Sequence, residues 1–248
     1  MNMKTPKPKI PLDKITTSKY RYAVPNGITF LSLVCGLISI IASASGNLKV
    51  GGALILASYI LDLFDGETAR RLKASSPFGL QLDSLVDMVS LGTAPAVLAF
   101  FHLRTDGGVN MALVWPFVVA MVLGGAFRLA RFNLLPMKTG QTDSMGLTIS
   151  TAGAMLTLAV LSDLAYNHNT ISNIFFLPLM ALLFALMVSR IYFPSLTWLF
   201  SRRRLSYCFM LLFGASLFWL PLVNVWFIFT GGYIGAGLAR ASYRTLAH

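Results

Sequence analysis

Acidic residues are scarce in this chain. Nine of its 248 residues are Asp or Glu, against 20 Lys and Arg, and charged residues together reach only 12% while hydrophobic ones make up 56%. With so little charge, few stretches can face water, and apolar runs of membrane-spanning length recur throughout, which excludes a soluble globular domain. Cysteine is nearly missing as well. Cys35 and Cys208 both fall within apolar runs and read as packing residues, so no disulfide framework or thiolate metal site is indicated. His102, His168 and His248 all stand apart from the acids that matter below. No internal repeat or low-complexity tract separates off.

A helix needs about 20 mostly apolar residues to cross the hydrocarbon core. Such stretches occur at 25–46, 48–70, 79–102, 109–131, 146–164, 171–190, 205–220 and 222–239. The expected fold is therefore an all-α integral membrane protein with about eight transmembrane helices, the last two sharing a short turn near Pro221. Threaded from an inside N-terminus, these spans leave only Lys49 and Arg104 on the far side, so 18 of the 20 Lys and Arg lie together. Positive charge marks cytoplasmic loops, which puts both termini at the cytoplasmic face of the cell membrane. The net charge of +11 then reads as topology and attraction to anionic lipid, not as nucleic-acid binding. Residues 1–24 form a basic juxtamembrane segment in which "PLDKITTSKYRYAVP" suits an amphipathic helix lying along the headgroups. A signal peptide is the competing reading, on the faint cleavage-site pattern "ASASG" after the first apolar run.

Four of the nine acids, Asp62, Asp65, Asp83 and Asp87, lie in "YILDLFDGETARRLKASSPFGLQLDSLVDMVS", residues 59–90. On helices, Asp62, Asp65, Gly66 and Ala69 share a face at the end of the second span, and Gly79, Asp83 and Asp87 share one at the start of the third. The intervening "RLKASSPF" holds a Pro and two Ser and suits a tight turn, so the two helices are expected to be antiparallel neighbours with both acidic faces at one depth. Clustered carboxylates repel, and burial disfavours their charged forms unless a cation sits among them. Arg70 and Arg71 are near, but four acids offering only oxygens are better matched to one or two hard divalent ions, Mg²⁺ or Mn²⁺. Gly66, Ala69 and Gly79 keep these faces small, which serves either close helix packing or a bulky ligand. Metals beside a small-residue cleft and an arginine suit a diphosphate.

The pattern Asp62-x2-Asp65-Gly66-x2-Ala69-Arg70-x8-Gly79-x3-Asp83-x3-Asp87 resembles the signature of the CDP-alcohol phosphatidyltransferases at every fixed position. That resemblance implies a helical membrane enzyme, usually a homodimer, which transfers a phosphatidyl group from a CDP-linked lipid to an alcohol and releases CMP. It makes Asp62, Asp65 and Asp83 metal ligands, and it places Asp87 beside two divalent ions as a further ligand and as general base on the attacking hydroxyl. Gly66, Ala69 and Gly79 would line the CDP cleft, with Arg70 near its phosphates or buttressing an acid. Asn26, after Pro25, would cap the first span or, by the resemblance, face the CDP site. Glu67 lies off the acidic face and is expected to be structural or to pair with a basic residue. The chain divides on this basis into the segment 1–24, a six-helix membrane core at 25–193 and a C-terminal hairpin with a short tail at 194–248.

The acceptor is read from other segments. "PNGITFLSLVCGLISI" at 25–40, "DSLVDMVSLGTAPA" at 83–96 and "RLARFN" at 128–133 resemble those of bacterial CDP-diacylglycerol–serine O-phosphatidyltransferases, which implies CDP-diacylglycerol and L-serine as substrates. Leu91 stands where that group often has Phe, and "MGLTISTAG" at 145–153 lacks a proline after Gly-Leu. Arg128 and Arg131, three apart on one helical face, could bind the acceptor's carboxylate or could be boundary arginines reaching for water. Lys138 and Asp143 in the following loop could add to that site but read more simply as a solvated loop. Sister enzymes acting on glycerol 3-phosphate or inositol phosphate, an intramembrane prenyltransferase and a cation transporter are the competing functions. A transporter needs an acidic path across the bilayer, whereas these acids cluster at one end.

Overall fold

The computed structural model describes residues 13–72, 76–106, 109–134, 143–165, 173–194 and 221–246. Eight α-helices account for most of them: α1 (Asp13–Ala44), α2 (Leu48–Arg71), α3 (Pro77–Asp87), α4 (Ala94–Asp106), α5 (Met111–Leu134), α6 (Ile149–Ala165), α7 (Asn173–Val188) and α8 (Leu222–Leu246). Ala23–Ala44, Pro77–Thr105, Met111–Leu134 and Leu222–Arg240 are each long and apolar enough to cross a membrane, and Ile149–Ala165 and Phe175–Val188 are shorter apolar helices. The molecule is an integral membrane protein built of helices. The 24-residue α2 has the length of a span, but its end carries Asp62, Asp65, Glu67, Arg70 and Arg71. The apolar run expected at 205–220 lies outside the described residues, as do residues 1–12.

Three local features set the geometry of the first half. Helix α1 runs unbroken from Asp13 through Pro25, where two separate elements were expected. Its end is closed by Gly46 at φ +84, with Asn47 N–H on Ala42 O at 2.9 Å and Gly46 N–H on Ser43 O at 3.1 Å. This is the left-handed glycine cap that satisfies the last carbonyls of a helix and turns the chain back, so α2 lies antiparallel along α1. Small residues hold the pair close: Ser32 Oγ and Ser58 Oγ are 2.7 Å apart, and Ser39 Oγ donates to Gly51 O at 2.8 Å. The expected start of α3 is present, with Ser76 as N-cap accepting from Gly79 N at 3.0 Å and Pro77 in the first helical turn.

The third apolar stretch is one rod with a defect. Between α3 and α4, Met88–Thr93 forms a π-helical segment, and Thr93 Oγ1 donates to Met88 O at 2.9 Å. Such widened turns insert a residue into the helical register and are frequent at functional sites. Here it follows Asp87 directly.

Helix α6 is the centre of the bundle: every residue from Ile149 to Leu164 except Ser150 is buried, as expected of a helix apolar on all sides. At its far end His102 Nε2 lies 3.2 Å from Asp163 Oδ2, both side chains fully buried, and Ser162 donates to Asn224 of α8 at 2.8 Å. An antiparallel ribbon departs from the all-α expectation. β1 (Asp143–Met145) pairs with β2 (Tyr192–Pro194), Ser144 opposite Phe193. Its three-residue strands are too short to show alternation in sequence. Gly146 at φ +76 turns the chain from β1 toward α6, with Arg131 Nη2 and Met187 O packed against the space a Cβ would fill.

Candidate active site

Asp62, near the end of α2, and Asp83 and Asp87, on one face of α3, meet in space. Each offers a carboxylate oxygen, and these three atoms all lie within 4.8 Å of one another. The three carboxylates come together although α3 packs on α1 and not along α2, so the direct antiparallel pairing of α2 with α3 expected from the sequence gives way to a meeting of their acidic faces alone. They open on a cavity of about 240 Å³ whose wall also includes Tyr59, Arg128, Phe132, Thr148 and Thr151. Oxygen-only donors at this separation fit a hard divalent ion, whose ligands stand about 2.0–2.6 Å from it. The residues present thus match the group that the sequence pattern calls for.

Asp65 is placed differently. It is 5% exposed and turned to α1, where Thr29 Oγ1, also bonded to Pro25 O, donates to its Oδ2 at 2.7 Å. It lies outside the converging trio while remaining a turn from Asp62. Asn26 and Gly79 are neighbours, since a Cβ on Gly79 would stand 3.5 Å from Asn26 Oδ1. Gly66 and Ala69 are half-buried on α2. None of these four residues lines the cavity. Arg70 belongs to α2, but its side chain lies outside the described residues, as do Lys138 and the side chain of Asp143. Glu67 has the basic partner expected of it, Arg71 Nε at 2.7 Å.

The two α5 arginines part company. Arg128 is only 8% exposed and lines the cavity; its Nη2 donates to Ser144 Oγ at 3.2 Å and its guanidinium lies 5.4 Å from the centre of the Phe132 ring. It does not reach outward as a boundary arginine would. Arg131 is taken up by main chain, donating to Val188 O at 3.0 Å, Met145 O at 2.9 Å and Met187 O at 3.3 Å. It closes the last carbonyls of α7 and ties them to the ribbon, a favourable place for a cation. Truncation to Ala leaves those carbonyls without their charged donor. Arg131→Ala is therefore expected to cost about 2 kcal/mol of stability, read as a lower unfolding temperature in detergent; an unchanged temperature would show the contacts to be idle.

Sequence reasoning passed over the other polar wall. Thr148, Ser150 and Thr151, in and before the first turn of α6, line the same cavity as Asp62. The hydroxyl-rich "TIST" at 148–151 was the available signal. Leu91, by contrast, is fully buried and does not line the cavity.

A family model described as CDP-alcohol phosphatidyltransferase matches residues 22–231. The chain belongs to that family. It is thereby an enzyme of phospholipid synthesis. A CDP-diacylglycerol–serine O-phosphatidyltransferase of Helicobacter pylori is 34% identical over 223 residues, covering 88% of this chain and 91% of that one. The protein of the same name from Bacillus subtilis is 32% identical over 178 residues, covering 69% and 89%. One from Mycobacterium leprae is 41% identical over 112 residues, 45% of this chain and 36% of its own. Asp62, Asp83 and Asp87 thus form a converging trio, with Asp65 held one turn away.

Proposed function

We propose that the chain transfers the phosphatidyl group of CDP-diacylglycerol to the hydroxyl of L-serine, giving phosphatidylserine and CMP. The reading places the site at the cytoplasmic face of the cell membrane, in a homodimer of about eight-helix subunits with both termini inside. One observation carries it: three carboxylates and one buried arginine face a single cavity, in a chain similar along most of its length to enzymes named for serine.

Asp62, Asp83 and Asp87, with Asp65 fixed by Thr29, would hold the divalent ions. When bound, such ions neutralise phosphate oxygens and make phosphorus a better electrophile. Asn26, Gly66, Ala69, Arg70 and Gly79 would form the CDP side of the site, and Arg128 the acceptor side. The serine oxygen bonds to the phosphorus that bears diacylglycerol, the bond from that phosphorus to the CMP oxygen breaks, and the hydroxyl proton passes to Asp87. A base is required because a serine hydroxyl is a weak nucleophile at neutral pH.

The test is CMP release by purified protein in detergent with CDP-diacylglycerol and Mn²⁺ or Mg²⁺, comparing L-serine, glycerol 3-phosphate, inositol phosphate and no acceptor. Release that depends on serine is the expected result. Release with a phosphorylated acceptor instead would move the chain to a sister activity, and divalent-ion flux across liposomes without any CMP release would replace the enzyme reading by transport.

A further inference from the structure

Helix α8 stands behind the site without entering it. None of its described side chains lines the cavity, and it packs chiefly on α6. Near its start Ser162 Oγ donates to Asn224 Oδ1 at 2.8 Å. Further along, glycines keep its backbone close to its neighbours: a Cβ on Gly231 would stand 3.6 Å from Met155 Cε of α6, and one on Gly237 would collide with the Phe193 ring of β2. The helix is thus fixed at several points along its length, and a fixed helix can hold a more mobile group in place.

That group is Tyr59. Trp226, two residues after Asn224, meets the Tyr59 ring with centroids 5.9 Å apart and planes at 63°. This is the edge-to-face arrangement, in which the positive edge of one ring meets the negative face of the other. Tyr59 is 9% exposed, belongs to the cavity wall, and stands on α2 one turn before Asp62, which lines the same wall. Ser58 and Asp65 tie α2 to α1, and Tyr59 lies about 100° round the helix from that seam. Its ring turns about two side-chain bonds. With one side unsupported it would have room to swing, and the Trp226 contact removes that freedom.

From this we infer that Trp226 is a positioning residue of the active site, acting from α8 through Tyr59 to fix the part of the cavity wall that carries Asp62. The inference rests on reading the cavity as the site of phosphatidyl transfer. It gives the last helix, which holds none of the signature residues, a part in the reaction. Asp62 is the α2 member of the carboxylate trio, so a ring that wanders beside it disturbs both the metal ligands and the space the substrate must fill.

The test is a double-mutant cycle on the full chain in detergent, with parent, Trp226→Ala, Trp226→Phe, Tyr59→Leu and the combined Tyr59→Leu, Trp226→Ala form. Each is measured for Mn²⁺ affinity by calorimetry, for kcat and KM of CMP release with CDP-diacylglycerol and L-serine, and for unfolding temperature. Trp226→Ala is expected to lower kcat about tenfold and to raise the Mn²⁺ Kd about threefold, the size of effect that one edge-to-face contact supports. Trp226→Phe keeps a ring at that place and is expected to stay within threefold of the parent in both. In the Tyr59→Leu background, Trp226→Ala is expected to change kcat and Kd less than twofold further, because residues acting through one contact are not additive. A Trp226 that only stabilised the bundle would lower the unfolding temperature and add its full effect in either background. Trp226→Ala within twofold of the parent in both quantities, or full additivity with Tyr59→Leu, would overturn the inference while leaving the phosphatidyl-transfer reading intact. If the parent releases no CMP with any acceptor, that reading falls and the Mn²⁺ cycle alone decides on Trp226; a parent that also fails to bind Mn²⁺ overturns both.

Discussion

Asp87→Asn is expected to lower kcat for serine-dependent CMP release by about 10³-fold, within the range that a positioned general base contributes. The amide keeps the shape of the side chain and loses its ability to take the proton. The structure gives Asp87 the geometry for this: it is 9% exposed, it is the last residue of α3, and its carboxylate faces Asp62 and Asp83 on one side and the cavity bordered by Arg128 on the other. Asp62→Asn and Asp83→Asn serve as the comparison. If those two act by holding metal, added Mn²⁺ recovers part of their activity, while Asp87→Asn stays low at saturating metal. A loss in Asp87→Asn that excess Mn²⁺ restores would make Asp87 a ligand only, and the base would have to be sought elsewhere.

The same acids explain why the site could be read so far ahead of the fold. A carboxylate is unfavourable in an apolar span, so four within 26 residues of such sequence stand out, and their spacing by three and four puts them on two faces. The turn between them carried its own signal in Ser76 and Pro77, which start α3, whereas the packing of α3 on α1 in place of α2 left no mark in sequence. What could not be read depends on contacts between distant segments. Arg128 and Arg131 look alike in "RLARFN", yet one ends against a cavity and the other against carbonyls of α7 and β1, residues 14 to 57 positions away. Both touch the β1–β2 ribbon, through Ser144 and Met145, but only Arg131 also meets the end of α7, and strands of three residues leave no periodic trace. The continuity of α1 through Pro25 was hidden for the opposite reason. A proline inside a helix is a local stop signal, yet α1 continues through Pro25 and packs along α2, with Thr29 Oγ1 donating to Asp65, so the local rule gives way to tertiary packing.

The π-helical segment Met88–Thr93 was equally invisible in sequence, and it leads to the second large effect. Deleting Val89, half-buried within it, is expected to reduce CMP release at least as severely as Asp87→Asn while leaving a helical, membrane-inserted protein. The segment sits between two faces with incompatible demands. On its N-terminal side Asp83 and Asp87 must point at Asp62; on its C-terminal side Ala94, Leu98 and Leu103 are fully buried in the core. Each residue turns a helix by about 100°, so the widened turn sets the angle between those faces. Within it, Leu91 O lies where a Cβ on Gly153 of α6 would collide, and Ser90 stands in the same relation to Gly36 of α1. These contacts and the buried α4 face lock the C-terminal part to the bundle, so removing one residue must turn α3 and swing both aspartates off Asp62. The measurement is Mn²⁺ binding and CMP release on the deletion variant, with circular dichroism to confirm that helices persist. Retained activity within tenfold of the parent would show that the bundle absorbs the register change elsewhere, and that the π segment does not set the direction of the carboxylates.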